Sequence, residues 1–309
     1  MPIGVHWPAY GAPLTSSFSQ PDKPTQPKIT PTMPSIPFTK MCGSGNDFIV
    51  IDNREDRLGG MDPSGFARKV CRRRMSVGAD GLILLENDPD ADFCWRFFNS
   101  DGSVAEMCGN GARCAARFAY LEGIAGATMR FRTLAGFVSA TVNGDGIRIR
   151  MTDPQRLQLS RTLPLEGRNR TVHLVNTGVP HAVLFVSDPE AVDVVGLGRQ
   201  IRWHEMFAPE GVNANFVFVD PEGGLVIRTY ERGVEDETLA CGTGCVAAAV
   251  VSAALEKAVS PITLRVRSGG DIQVAFDRNG PAVSNVFLSG DARIVSAGRM
   301  EEDSWRYGG

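Results

Sequence analysis

The chain has 309 residues, 43% of them hydrophobic, and a formal net charge of −3. That length holds two domains of ordinary size with real cores. A near-neutral, slightly acidic balance argues against a nucleic-acid or anionic-membrane partner. Seven cysteines, an odd count in a long chain, do not form the disulfide framework of a small secreted domain, so reduced thiols in the cytoplasm are expected.

Residues 1–35 are crowded with Pro, Ser, Thr and Gln and show no apolar periodicity. They have neither the apolar centre of a signal peptide nor the roughly 20-residue apolar run of a membrane span. A disordered extension is expected there. The apolar run 48–52 (FIVID) predicts a buried strand. Residues 63–73 predict a helix, with Asp62 as N-cap and Pro63 at its first position. Arg72, Arg73 and Arg74 then read as its solvated end. Strands are expected over 82–85 and 93–98, a turn over 99–103 (NSDGS), a helix over 110–121, and three strands over 128–151. A second set follows: strands over 172–175, 182–186, 215–219 and 225–230, a helix over 243–258, and strands over 262–266, 272–276 and 283–288.

The helix after Cys241 (GCVAAAVVSAAL) is apolar nearly all round, so protein must surround it. It is too short to cross a bilayer. A Cys-Gly-x-Gly sequence opens this helix at Cys241 and the other Ala-rich helix at Cys108. The two cysteines lie 133 residues apart (241 minus 108), about half the folded length, which predicts two similar domains each presenting one such helix start.

The first-turn N–H groups of a helix have no intrahelical partner and carry partial positive charge. A carboxylate docks there, and a cysteine placed there is expected to have a lowered pKa. Two such thiols facing one carbon suit inversion of that centre. One thiolate removes the α-proton from one face, and the other thiol delivers a proton to the opposite face. A pyridoxal cofactor needs a Schiff-base lysine. The folded region offers only Lys40, Lys69 and Lys257, none in a phosphate-binding setting, so no cofactor is expected. A zinc site from Cys108, Cys114, Cys241 and Cys245 fails on spacing, so no metal is expected either.

The segments 40–48 (KMCGSGNDF), 98–103 (FNSDGS), 107–113 (MCGNGAR), 180–181 (PH), 212–213 (VN), 230–233 (YERG) and 238–244 (TLACGTG), in this order, resemble the diaminopimelate epimerases. The resemblance runs from about residue 38 to 293. It implies an α+β fold of two similar domains, each a mostly antiparallel barrel-like sheet around a central helix, with the active site in the interdomain cleft. The domains are then 36–152 plus 286–300, and 153–285. It implies cofactor-independent interconversion of LL- and meso-2,6-diaminopimelate, for lysine and peptidoglycan synthesis. Cys108 and Cys241 take the catalytic places, and His181 and Glu231 the places that tune the thiols. Substrate contacts fall on Asn46, Asn99, Gly109, Asn110, Asn213, Glu231, Arg232, Gly242 and Thr243. A small-molecule substrate is the expected partner, and a homodimer is compatible with the resemblance. The chain departs from the family at Gly81, where Gln is common, and at Val179, where Asn is common; Asn176 is the nearest polar replacement for the latter.

Three other readings compete. A two-cysteine racemase of another amino acid shares the same motifs. Residues 242–247 (GTGCVA) match a loose dinucleotide fingerprint, but Leu264 stands where an acid is needed. A non-enzymatic binding protein of this fold would exchange no α-hydrogen.

Overall fold

The computed structural model describes residues 35–307, so the extension expected over 1–35 falls, Ser35 apart, outside the described residues. The first half runs β1 (Ile36–Gly43), β2 (Asn46–Asp52), α1 (Pro63–Val70), β3 (Gly81–Glu86), β4 (Phe93–Asn99), β5 (Val104–Ala105), α2 (Gly109–Leu121), β6 (Thr128–Thr133), β7 (Gly136–Asn143) and β8 (Gly146–Arg150). The second runs β9 (Gln155–Leu165), β10 (Arg168–Asn176), β11 (Pro180–Phe185), α3 (Val194–Arg202), β12 (Asn213–Val219), β13 (Leu225–Glu231), β14 (Asp236–Thr238), α4 (Gly242–Ala254), β15 (Ile262–Arg265), β16 (Asp271–Asn279) and β17 (Ala282–Asp291). β18 (Arg293–Met300) and α5 (Asp303–Arg306) close the described chain.

The strand pairings repeat. β1 pairs antiparallel with β2, β2 parallel with β3, β3 antiparallel with β4, β4 parallel with β6, and β6, β7 and β8 follow antiparallel. β10 through β17 reproduce the same order and the same senses. The register repeats as well. Leu82 faces Phe98 as Ala214 faces Tyr230, both shifted by 132 (214 minus 82, 230 minus 98). β8 and β17, the matching last strands of the two repeats, pair with each other, while β18 returns to β1 and β9 flanks β10.

Each repeat encloses one helix. α4 packs against β10, β11, β12, β13, β15, β16 and β17, and every residue from Gly244 to Ala253 is buried. α2 packs against β1, β2, β3, β7 and β8. The all-round apolar character of α4 therefore matches its surroundings on every side. No helix among the described residues is long and apolar enough to cross a membrane.

α1 begins as expected. Asp62 accepts hydrogen bonds from Ser64 N (3.2 Å) and Gly65 N (2.8 Å), with Pro63 at the first position. It stops at Val70, short of residue 73, because Gly78 N and Ala79 N take the carbonyls of Val70 and Cys71. Arg73 is not merely solvated. Its guanidinium holds Asp47 (2.7 Å) and Asp80 (2.9 Å), tying that turn to β2.

Candidate active site

Two helix starts meet at the seam between the repeats. Cys108 and Cys241 are the extended N-cap residues of α2 and α4 (φ −146° and −117°). A Cβ built on Gly109 would lie 3.8 Å from Ile149 Cδ1, and one on Gly242 3.3 Å from Leu288 Cδ1. Ile149 and Leu288 are partners across the β8–β17 pair, so both glycines stand over one strand junction. Asn110 crosses the seam, its amide reaching Ala240 O (3.4 Å), next to Cys241. The charge of Glu231 reaches both thiols.

The helix N-termini act on sulfur as anticipated in direction. Gly111 N donates to Cys108 Sγ (3.5 Å), and Thr243 Oγ1 lies 3.5 Å from Cys241 Sγ. The expected lowering of the thiol pKa values is nonetheless overturned. Burial pushes Cys108 up and Cys241 well up, Glu231 adds to both, and the N–H groups only moderate the rise. Desolvation of a charge outweighs one or two hydrogen bonds to it. Burial thus disfavours the thiolate at both positions, most strongly at the enclosed Cys241.

Asn46, Asn110 and Asp80 form a chain on the first-repeat side. Asn110 Nδ2 donates to Asn46 Oδ1 (2.7 Å), and Asn46 Nδ2 donates to Asp80 Oδ2 (3.0 Å). Asn99 lies opposite Gly81 and donates to Ser103 Oγ (2.9 Å) within the expected turn. On the second-repeat side, Arg232 N donates to Asn213 Oδ1 (2.7 Å) and Asn213 Nδ2 to Pro180 O (3.3 Å). Arg232 is half-buried, with Nη1 on Glu210 O (3.3 Å). Burial pushes the Glu231 carboxyl up, against the pull of the Thr238 hydroxyl and Cys241 thiol beside it.

His181 is buried, and its tautomer is fixed by its neighbours. Thr229 Oγ1 donates to Asn215 Oδ1 (3.1 Å), so the Asn215 amide nitrogen faces His181 Nδ1 (3.0 Å) and donates to it. The proton therefore sits on Nε2, which has no partner among the described residues. In the first repeat the matching positions hold Phe48, Ile83 and Phe97, all in the apolar core. The polar trio His181, Asn215 and Thr229 belongs to the second repeat alone.

Burial pushes His181 down to about 3. In the unfolded chain it titrates near the ordinary histidine value of 6.5. Its contribution to stability is complete above that pH and is lost as pH falls toward 3, because only the unfolded chain then takes the proton. The slope expected is up to about 1.4 kcal/mol per pH unit. Chemical denaturation between pH 7 and 4 checks this: His181→Gln should be less acid-sensitive than the parent chain by that slope, and identical slopes would contradict it.

Known proteins place this arrangement. The family model described as diaminopimelate epimerase matches residues 38–157 and 173–295. The chain belongs to the diaminopimelate epimerase family. It is 48% identical over 282 residues to the diaminopimelate epimerase of Aquifex aeolicus, covering 87% of this chain and 99% of that one. It is 40% identical to that of Archaeoglobus fulgidus, covering 88% and 99%. The fold is shared more widely. A PhzF-family phenazine biosynthesis protein of Bacillus anthracis superposes with a TM-score of 0.65 at 16% identity, covering 86% of this chain and 98% of that one. A hydroxyproline epimerase of Agrobacterium vitis superposes at 0.63 and 17% identity, covering 87% and 93%. The chain is accordingly an isomerase with the α+β fold and mostly antiparallel sheet that the motifs implied.

The structure accounts for one of the two departures from the epimerase pattern. A Cβ at Gly81 would fall 2.5 Å from Phe97 Cε2 and 2.8 Å from Phe98 O, so no side chain fits there. Nothing in the structure explains the side chain of Val179, whose backbone carbonyl accepts from Thr177 N (3.1 Å). Asn176 closes the turn by accepting from Gly178 N through Oδ1 (2.9 Å). Asp80, Thr177, Asn215, Thr229 and Arg113 escaped the sequence reading. Thr177 Oγ1 donates to Thr243 O (3.0 Å) and so fixes the first turn of α4. Among the described residues no cluster of His, Cys, Asp and Glu has metal-site geometry.

Proposed function

We propose that the protein interconverts LL- and meso-2,6-diaminopimelate by two-base proton transfer, with Cys108 and Cys241 as the alternating acid and base and without a cofactor. The step serves lysine and peptidoglycan synthesis. The observation that carries this reading is the meeting of two Cys-capped helix N-termini over one strand pair.

The α-carboxylate docks on the free N–H groups at the starts of α2 and α4, beginning with Gly109, Asn110, Gly242 and Thr243. Charge developing on that carboxylate as the α-proton leaves is stabilised by the same donors, which are already aimed. The substrate ammonium adds positive charge beside the thiols, and it favours ionising one of them. Asn46, Asn99, Asn213 and Glu231 offer acceptors and donors to the ammonium and carboxylate groups, and Arg232 has the fork for the distal carboxylate. His181 Nε2–H is an unmatched donor for an anion forming in the cleft. Residues 36–152 with 286–300, and residues 153–285, are the proposed lobes; β17 is shared, since it pairs with both β16 and β8. Seven free cysteines support a reducing compartment such as the cytoplasm.

The test is incubation of purified protein with LL-diaminopimelate in deuterated water without added cofactor. Incorporation of one α-deuterium with appearance of the meso form is expected. Absence of exchange would sink the enzymatic reading. Faster turnover of histidine, glutamate or a proline derivative would sink the substrate assignment while leaving the chemistry standing.

A further inference from the structure

Behind Cys108, five residues along α2, lies a charge that the described residues do not pair. Arg113 is 0% exposed. Its acceptors are uncharged: Asp291 backbone O (3.1 Å), Gly109 O (3.4 Å), Ser44 Oγ (2.6 Å) and Asn110 Oδ1 (3.0 Å). The nearby Asp291 carboxylate is engaged elsewhere, by Ser44 N (3.1 Å) and Arg293 Nε (2.9 Å). A buried cation without a counter-ion is costly unless negative charge forms beside it. Burial indeed pulls the guanidinium pKa down, while Cys114, Cys108, Asp291 and Cys245 pull it up.

The repeat shows that this charge is not structurally required. The residue matching Arg113 in the second repeat, 133 positions on, is Val246, equally buried at 0% exposure on an α4 of the same length. The acidic side is unequal in the opposite sense. Glu231, whose carboxylate charge acts most on the Cys241 side, has Asn99 as its first-repeat counterpart.

We propose that Arg113 is a positioning residue that makes the two thiols unequal, so that Cys108 gives up its proton more readily than Cys241. The inference rests on the two-cysteine reading above. With that bias, Cys108 takes the α-proton and Cys241 gives up its own to the opposite face of the carbon. The protons have then changed places, and Cys241 must regain one from solvent while Cys108 loses one before the next turnover in the same direction. Arg113 acts through the sulfur and through the Asn110 and Ser44 contacts that hold the helix start. The other charged or titratable groups around it are few. Glu231 from β13 opposes charge on the Cys108 sulfur, Asp291 of β17 acts on Arg113, burial pushes the thiols of Cys114 on α2 and Cys245 on α4 up, Arg117 is turned to Asp145 and Ala292, and Lys40 to Asp47.

The experiment is site-resolved alkylation of the full chain, free of substrate, by iodoacetamide across pH 6–10, with each cysteine read by mass spectrometry. In the parent chain Cys108 should reach half-reaction at lower pH than Cys241; the reverse order overturns the proposal without any variant. Arg113→Met should move the Cys108 midpoint to higher pH. A midpoint displaced by one on the pH scale leaves Cys108 about tenfold less alkylated on the rising limb. Cys241 should move by much less, and Arg113→Lys should restore most of the difference. A Cys108 midpoint unmoved in Arg113→Met, or both midpoints moving together, overturns it. Because alkylation is read without turnover, it separates this proposal from the choice of substrate.

Discussion

Cys108→Ala and Cys241→Ala each lower the interconversion of LL- and meso-diaminopimelate by about 10³-fold or more, the scale of losing a positioned acid or base. Inversion needs a base on one face and an acid on the other, so either deletion stops it in both directions. Substrate affinity changes far less, since the carboxylate is held by backbone N–H groups that the alanine side chain does not touch. Cys114→Ala and Cys245→Ala provide the contrast. Both thiols are 0% exposed in the helix interiors, burial holds Cys245 up near 12, and neither caps a helix start. Their variants should keep turnover within a few-fold. Steady-state rates from both epimers check the set. Inversion surviving in either single alanine variant at more than a tenth of the parent rate would remove the two-base mechanism.

The proposed catalytic pair stands out in the sequence because the chemistry asked of it is local. Cys-Gly-x-Gly before an apolar helix states both the nucleophilic atom and the free N–H groups beside it. The repeat was legible only as two short echoes, although the strand pairings show it to be complete. Strand register leaves no mark in sequence when matching positions hold unlike residues, as Phe48, Ile83 and Phe97 do against His181, Asn215 and Thr229. The thiol pKa values were misjudged for a related reason. A helix start is visible in sequence, but how tightly the surrounding strands enclose it is not, and burial decides the sign.

The elements that escaped have weak local signals for identifiable reasons. β9 is mostly exposed and polar along Gln155–Leu165, and its strand character comes from pairing with β10. β18 is exposed at every position but Met300 and is held by β1. α3 contains Gly196 and Gly198, poor helix formers. Gly198 is there because a Cβ would come within 2.3 Å of Tyr230 Cβ, so the packing of helix on sheet dictates a residue that argues against the helix. Asp193 compensates by capping Gly196 N (2.9 Å).

The enclosure of α4 makes the second large expectation, this one on stability. Val250 is 1% exposed at the middle of that helix. An aspartate there would stand inside the main apolar cluster of the molecule. Burying an unpaired carboxylate costs upward of about 4 kcal/mol, a large part of a typical domain's roughly 5–15 kcal/mol. Val250→Asp should therefore yield little folded protein, seen as loss of the cooperative thermal transition and of solubility. Leu121→Asp, at the 49% exposed end of α2, should melt within a few degrees of the parent chain. A Val250→Asp protein with an unchanged melt would mean that water reaches this face. The consequence for catalysis is direct. Cys241 caps the very helix being tested, and its thiol stays neutral because the same walls exclude water, so a charge that opens the enclosure removes the fold and the acid together.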